Sequence, residues 1–270
     1  MAPPLRILQL SDPHLLADPH GRLHGRSPHG RLRRGLQGAL AALRASGELP
    51  HHVLISGDLC HDETWGGYSQ LAVLLDSVLP ADLATPLLLA GNHDHPQLLR
   101  AALGRRARIA PGLWPLDPLA DWSLLALDSH CCGLEGGRFE ASQWAWLERE
   151  LRRAGPGALL VALHHPPLPI GDPGFDAIAL QDGERLLASL AACPRVRAVV
   201  FGHVHQHWQG TLPGRPEVPL LGCPSTLVSY GPVQPCPLGR SADPGGRLLE
   251  LGAEGEIRHR LLRWSAEDCP

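Results

Sequence analysis

A chain of 270 residues, 44% hydrophobic and 19% charged, can bury a substantial core, and its formal net charge of −3 provides no field to recruit nucleic acid or anionic lipid. All 24 basic residues are Arg, which excludes Lys as nucleophile or Schiff-base former. The seven cysteines are scattered apart from the adjacent Cys131 and Cys132, which argues against a disulfide framework and for a reducing compartment.

Leu5–Gln9 reads as a short strand ending at Ser11-Asp12, and residues 18–31, with Gly, Pro, His20, His24 and His29, as a loop over the site. Leu32, Leu36, Leu40 and Leu43 recur at near-helical spacing, and Val53–Ile55 is a strand ending at Gly57-Asp58. A second helical stripe, Leu71, Leu74, Leu75 and Val78, precedes a strand over Pro86–Ala90 that runs into Gly91-Asn92. Leu124–Leu127 is a strand, and Glu140–Arg153 a helix with Trp144, Leu147 and Leu151 on one face. Leu159–Leu163 and Val196–Phe201 are strands that both end in histidines. Residues 231–246 read as a Pro/Gly-rich surface excursion before strands at Arg247–Leu251 and Ile257–Leu262. Short apolar runs separated by helical periods predict an α/β fold, read as a single domain over 1–270. The start has no cationic stretch followed by an apolar one, and no apolar run approaches the ~20 residues of a membrane span. The expectation is a cytoplasmic protein without membrane or nucleic-acid partners.

Five blocks fall just past five of these strands: Asp12-Pro13-His14, Gly57-Asp58, Gly91-Asn92-His93-Asp94, His164-His165-Pro166-Pro167 and Gly202-His203-Val204-His205. In open α/β sheets ligands bind beyond the carboxyl ends of strands, so folding would bring the five to one rim. Singly, each block has a plain alternative as a turn cap or a core histidine. Jointly, carboxylates, an amide and imidazoles supply enough ligands for two divalent metals. Residues i and i+2 of an extended segment share a face, so His203 and His205 can reach one centre. The O/N donor set suits Mn²⁺, Fe²⁺/Fe³⁺, Co²⁺ or Zn²⁺ and argues against a thiolate site. Two metals about 3.5–4 Å apart can generate a bridging hydroxide for in-line phosphoryl displacement. Chemistry alone leaves His164 and His165 as alternatives.

These blocks, with the opening at 6–15, the stretch Leu125–Ser129, the helix from Ser142 and Cys223–Thr226 after the last block, resemble the calcineurin-like metallophosphoesterases over about 5–264. The branch they resemble is that of the class III cyclic nucleotide phosphodiesterases. The resemblance implies a four-layer αββα sandwich of two mixed sheets, with a dimetal site at strand carboxyl ends. It implies Asp12, His14 and His205 on one metal, Asp58 bridging, and Asn92, His164 and His203 on the other. His93 is then the acid for the leaving alkoxide; Asp94, beside it, reads as orienting that histidine, with a turn-capping carboxylate as the alternative. Asn92, His93, His165 and His205 are placed against the substrate, His165 in either a supporting or a substrate role. The implied activity is hydrolysis of 3′,5′-cyclic AMP to 5′-AMP by the bridging hydroxide. A glycerophosphodiesterase or broad phosphodiesterase shares every ligand, a non-catalytic scaffold is an alternative of another class, and a nuclease would need a nucleic-acid groove that the charge balance does not suggest; monomer and homodimer are both open. Residues outside the pattern have plainer readings. His61 and Asp62 read as surface loop or pocket lining, Arg31–Arg34 as a solvated face, and Ser225 and Thr226 as a boundary of the pocket.

Overall fold

The computed structural model describes residues 3–117, 121–153 and 157–265. Along the chain come β1 (Leu5–Leu10), α1 (Pro28–Ala45), β2 (His52–Ile55), α2 (Trp65–Val78), β3 (Leu87–Leu88), α3 (Pro96–Leu103), β4 (Arg108–Ile109), β5 (Gly112–Asp117) and β6 (Trp122–Ala126). Then follow α4 (Ala141–Arg152), β7 (Ala158–Leu163), α5 (Pro173–Ala177), α6 (Gly183–Ala191), β8 (Val196–Phe201), β9 (Trp208–Leu212), β10 (Arg215–Gly222), β11 (Gly245–Leu251) and β12 (Ile257–Arg263). The strands form two six-stranded sheets, in the orders β12-β11-β1-β2-β3-β4 and β5-β6-β7-β8-β10-β9. In the first, β1 to β4 are parallel and β11 returns antiparallel beside β1. In the second, β6, β7, β8 and β10 are parallel, with β5 and β9 as antiparallel edges.

Strand periodicity explains the layering. Ile7, Leu54, Leu160 and Val200 point between the sheets, where they pack with Leu124, Trp122 and Leu249. Their neighbours point outward: Leu8, Val53 and Ile55 meet Leu32, Leu36, Leu71 and Leu75 of α1 and α2. On the other side, Val161, Leu163, Val199 and Phe201 meet Trp144, Leu147, Leu186 and Leu190 of α4 and α6. Because both faces of β1, β2, β7 and β8 are covered, apolar residues fill both faces rather than alternating: β7 is apolar throughout, and the other three admit only Arg6, Gln9, His52 and Arg197. The result is the expected four-layer α/β sandwich. No helix among the described residues is long and apolar enough to cross a membrane.

Several boundaries differ from expectation. The loop expected over 18–31 stops at Ser27, whose hydroxyl accepts from the Gly30 amide and caps α1, with Pro28 in the first turn. Arg31 is therefore helical and buried, donating to the Leu227 carbonyl rather than lying on a solvated face. β3 keeps two residues of the expected five, since the chain leaves the ladder to turn into Gly91. The excursion expected to 246 ends earlier: Gly245 and Gly246 already pair with Arg263 and Leu262.

Candidate active site

The five blocks follow the carboxyl ends of β1, β2, β3, β7 and β8. The first sheet contributes Asp12, His14, Asp58 and Asn92, and the second contributes His164, His203 and His205, so the site straddles the carboxyl edges of both sheets. Asp12, His14, Asp58, His203 and His205 all have left-handed backbones, with φ between 46° and 67°. That conformation is costly for L-residues and persists where surrounding bonds over-determine it. Those bonds are present. The Asp12 amide donates to the Gly57 carbonyl at 3.1 Å, the His14 amide to the Asp58 carbonyl at 2.9 Å, and Ser225 Oγ to the Asp12 carbonyl at 2.8 Å. The His93 amide donates to Asp58 Oδ1 at 2.9 Å. Gly91 is required by close approach: a Cβ there would sit 2.1 Å from Asp58 Oδ1.

The side chains converge in two groups. In one, His14 Nε2 lies 3.2 Å from His205 Nε2 and 3.5 Å from Asp58 Oδ2, and His205 Nε2 lies 3.3 Å from Asp12 Oδ1. In the other, Asn92 Oδ1 lies 3.0 Å from His203 Nδ1 and 3.2 Å from His164 Nε2, which is 3.4 Å from Asp58 Oδ1. The two oxygens of Asp58 thus face one group each. Two rings have their tautomer set from behind. His164 Nδ1 donates to the Ser56 carbonyl at 2.8 Å and His205 Nδ1 to the Val228 carbonyl at 3.0 Å, leaving each Nε2 lone pair aimed inward.

Lone pairs and carboxylate oxygens facing one another at 3.0–3.5 Å fit neighbouring ligands of a shared cation. For bonds of about 2.1 Å, donors at right angles are about 3 Å apart. The protonation states agree. Burial and the surrounding imidazoles hold His14 and His203 well below the ordinary histidine range, so both stay neutral and able to ligate. Burial pushes Asp12 up, but attraction to His205 outweighs it and the carboxylate stays ionised. Burial likewise pushes His205 down, and the Asp12 charge reverses that, raising it. A field that favours a proton at this point favours a divalent cation more.

Two expected roles are narrowed. Asp94 makes no hydrogen bond to the His93 ring among the described residues and takes the turn-capping alternative. Its buried carboxylate accepts from the amides of Gly91, Leu59 and Cys60 at 2.8–3.0 Å and from the Tyr68 hydroxyl at 3.2 Å, tying the β2 and β3 loops together. Burial and the nearby Asp58 push it up to about 7, with the three amides working the other way. His165 takes the supporting one of its two expected roles and is not among the residues lining the cavity. It is fully buried, with Nδ1 on Ser129 Oγ at 2.8 Å and Nε2 on the Glu135 carbonyl at 3.1 Å, so both nitrogens are committed. Ser225 and Thr226 are buried too, with Ser225 bracing Asp12 and capping the Leu227 amide instead of bounding the cavity. His61, by contrast, lines the cavity: its Nδ1 lies 3.3 Å from His14 Nδ1, and its ring stacks on His93 at 4.9 Å. The signal was its position three residues past Asp58 in a chain rich in site histidines.

Above the ligand groups opens a cavity of about 610 Å³. His93 faces it, as do Leu23 and His24 from the loop before α1, Phe175 from α5, and Tyr230. Among the described residues its lining includes no Arg, and Glu135 and Asp172 add acidic character. Cys60, Cys131, Cys132, Cys193, Cys223 and Cys236 are all free.

Comparison with known proteins agrees with this geometry. The family model for calcineurin-like phosphoesterases matches residues 5–207. A probable cyclic nucleotide phosphodiesterase of Synechococcus sp. (strain WH7803) is 49% identical over 266 residues, which cover 97% of each chain. The 3′,5′-cyclic adenosine monophosphate phosphodiesterase CpdA of Escherichia coli K12 is 33% identical over 260 residues, 95% of this chain and 90% of that one. Among solved structures, a dimetal phosphatase of Danio rerio superposes with a TM-score of 0.64 at 16% identity, over 98% of this chain and 100% of that one, a likeness of fold.

Proposed function

The chain belongs to the calcineurin-like phosphoesterase family, and from that premise we propose that it is a dinuclear metallophosphodiesterase that hydrolyses 3′,5′-cyclic AMP to 5′-AMP. The observation that carries the reading is the Asp58 carboxylate, with one oxygen turned to each ligand group. In this reading Asp12, His14 and His205 would hold one metal, Asn92, His164 and His203 the other, and Asp58 both. The O/N donor set suits Mn²⁺, Fe²⁺/Fe³⁺, Co²⁺ or Zn²⁺. When bound, such a pair supplies Lewis acidity that activates water and offsets charge on the phosphoryl oxygens.

The chain's own residues do the rest. Asn92 and His205 bound the phosphate position. His93, fixed through its amide to Asp58 and stacked against His61, faces the cavity with a ring that can give its proton to O3′ as the P–O3′ bond breaks. A lining without Arg among the described residues, and with Glu135 and Asp172, suits a singly charged diester better than a doubly charged monoester product. Ligands drawn from both sheets support one domain over 1–270, and free cysteines support a cytoplasmic setting.

The test is steady-state turnover with added Mn²⁺ on cyclic AMP, cyclic GMP, glycerophosphodiesters and bis(p-nitrophenyl) phosphate. The expected result is the highest kcat/KM on cyclic AMP. Turnover of the generic ester with none of the cyclic nucleotides would overturn the substrate and spare the reaction class.

A further inference from the structure

Two aromatic residues that the ligand set does not use stand on the cavity wall, and they come from separate parts of the chain. Phe175 lies on the five-residue helix α5, and Tyr230 lies in the segment after β10. Their rings meet at 5.8 Å. Each also leans on a metal-facing histidine: Phe175 edge-on to His203 at 5.6 Å, and Tyr230 stacked on His205 at 5.0 Å and 21°. The wall therefore adjoins the histidines of both ligand groups. Tyr230 is 43% exposed and Phe175 half-buried, so apolar ring surface is left facing the cavity.

Resting on the reading above, we propose that the Phe175–Tyr230 wall is a base-binding subsite that selects nucleoside phosphodiesters over base-free ones. A flat purine one ribose away from the phosphate meets ring faces there, and base–aromatic stacking needs no particular hydrogen-bond pattern. A glycerol hydroxyl gains nothing from the same surface and loses water. Ile178 and Leu227, which also line the cavity, extend its apolar surface. Glu135 and Asp172 on the same lining disfavour further phosphates, so a single cyclic nucleotide fits where a polynucleotide does not.

The experiment compares cyclic AMP with glycerophosphoethanolamine in the Mn²⁺-loaded wild type and in Phe175→Ala, Tyr230→Ala and Tyr230→Phe. Each alanine variant is expected to raise KM for cyclic AMP about tenfold. Its kcat should stay within about twofold, and kcat/KM for the glycerophosphoester should be unchanged, because the loss removes uniform binding of the base. Tyr230→Phe should behave as wild type, since the ring and not the hydroxyl carries the contact. Equal losses on both substrates, or an unshifted KM for cyclic AMP, overturn the subsite while leaving the phosphodiesterase reading in place. A wild type that cleaves the glycerophosphoester and leaves cyclic AMP intact overturns both.

Discussion

The floor and the wall of the cavity are held by different physics. On the floor, Asp58 is 2% exposed, its main chain bonds the β1 loop, its carboxylate anchors the His93 amide, and Asp94 beneath it satisfies four donors. On the wall, Phe175 and Tyr230 are positioned by ring contacts, and Tyr230 is largely open. Buried polar networks are specified atom by atom, because each unmade bond costs about 1–3 kcal/mol. Apolar walls tolerate exchange of one shape for another of similar size. On the proposed reading, the reaction is therefore fixed where polar bonds over-determine the chain, and substrate choice rests where packing alone acts.

Substitutions that test this contrast span a wide range. The largest effect is expected for Asp58→Ala, which removes the carboxylate shared by both ligand groups. Turnover should fall by roughly a thousandfold or more, beyond the 10–100-fold typical of a supporting partner, and metal content by elemental analysis should fall with it. Near-normal rate and metal content would break the contrast outright. Next comes His93→Ala, expected to lower kcat about 10²–10⁴-fold with metal content intact, as loss of a proton donor does. His61→Ala removes the ring beside His14 Nδ1 and should weaken metal affinity about tenfold, with turnover recovered by excess Mn²⁺ in a metal titration. Failure of excess metal to restore it would move His61 from the floor's support to the chemistry beside His93.

The smallest effect concerns acid stability below the floor. His207 accepts from Arg247 Nη2 at 2.8 Å, and burial with that guanidinium pushes it down to about 4 from 6.5. Between those values the unfolded chain binds a proton that the folded chain does not, so stability rises with pH through the window and is lost on acidification. Melting temperatures of the metal-free protein from pH 4 to 6.5 should therefore slope less steeply in His207→Asn. An identical slope would show that other histidines carry the acid sensitivity.

Particular residues show what was legible in the sequence. β1, β2, β7 and β8 could be read because burial on both faces leaves predominantly apolar segments, broken only at Arg6, Gln9, His52 and Arg197, and their ends located the blocks. β10 could not, since Pro216 and Pro219 interrupt it at a bulge beside the edge strand β9, and α5 is too short for a helical period to develop. Residue types at the site were legible as well, but side-chain directions were not. Asp94 follows His93 directly, yet the turn sends its carboxylate inward to the amides of Gly91, Leu59 and Cys60. The paired His164 and His165 diverge for the same reason, one toward Asn92 and the other toward Ser129. Adjacent residues in a turn have no shared face, so spacing cannot assign their roles. The left-handed backbones of five of the seven expected ligands are likewise a tertiary outcome that composition does not announce.

The pairing of β1 with β11 sets a timetable for the protein's synthesis. Leu5 lies opposite Leu251, so the strand that leads into Asp12 obtains one neighbour, β2, early and the other, β11, only after the chain has run on from Ile55 to Gly245. The Ser225 hydroxyl that braces the Asp12 carbonyl arrives equally late. A nascent chain thus carries all seven expected ligand residues before it can hold Asp12 in place, and the hydrolytic centre is completed only once β11 has emerged.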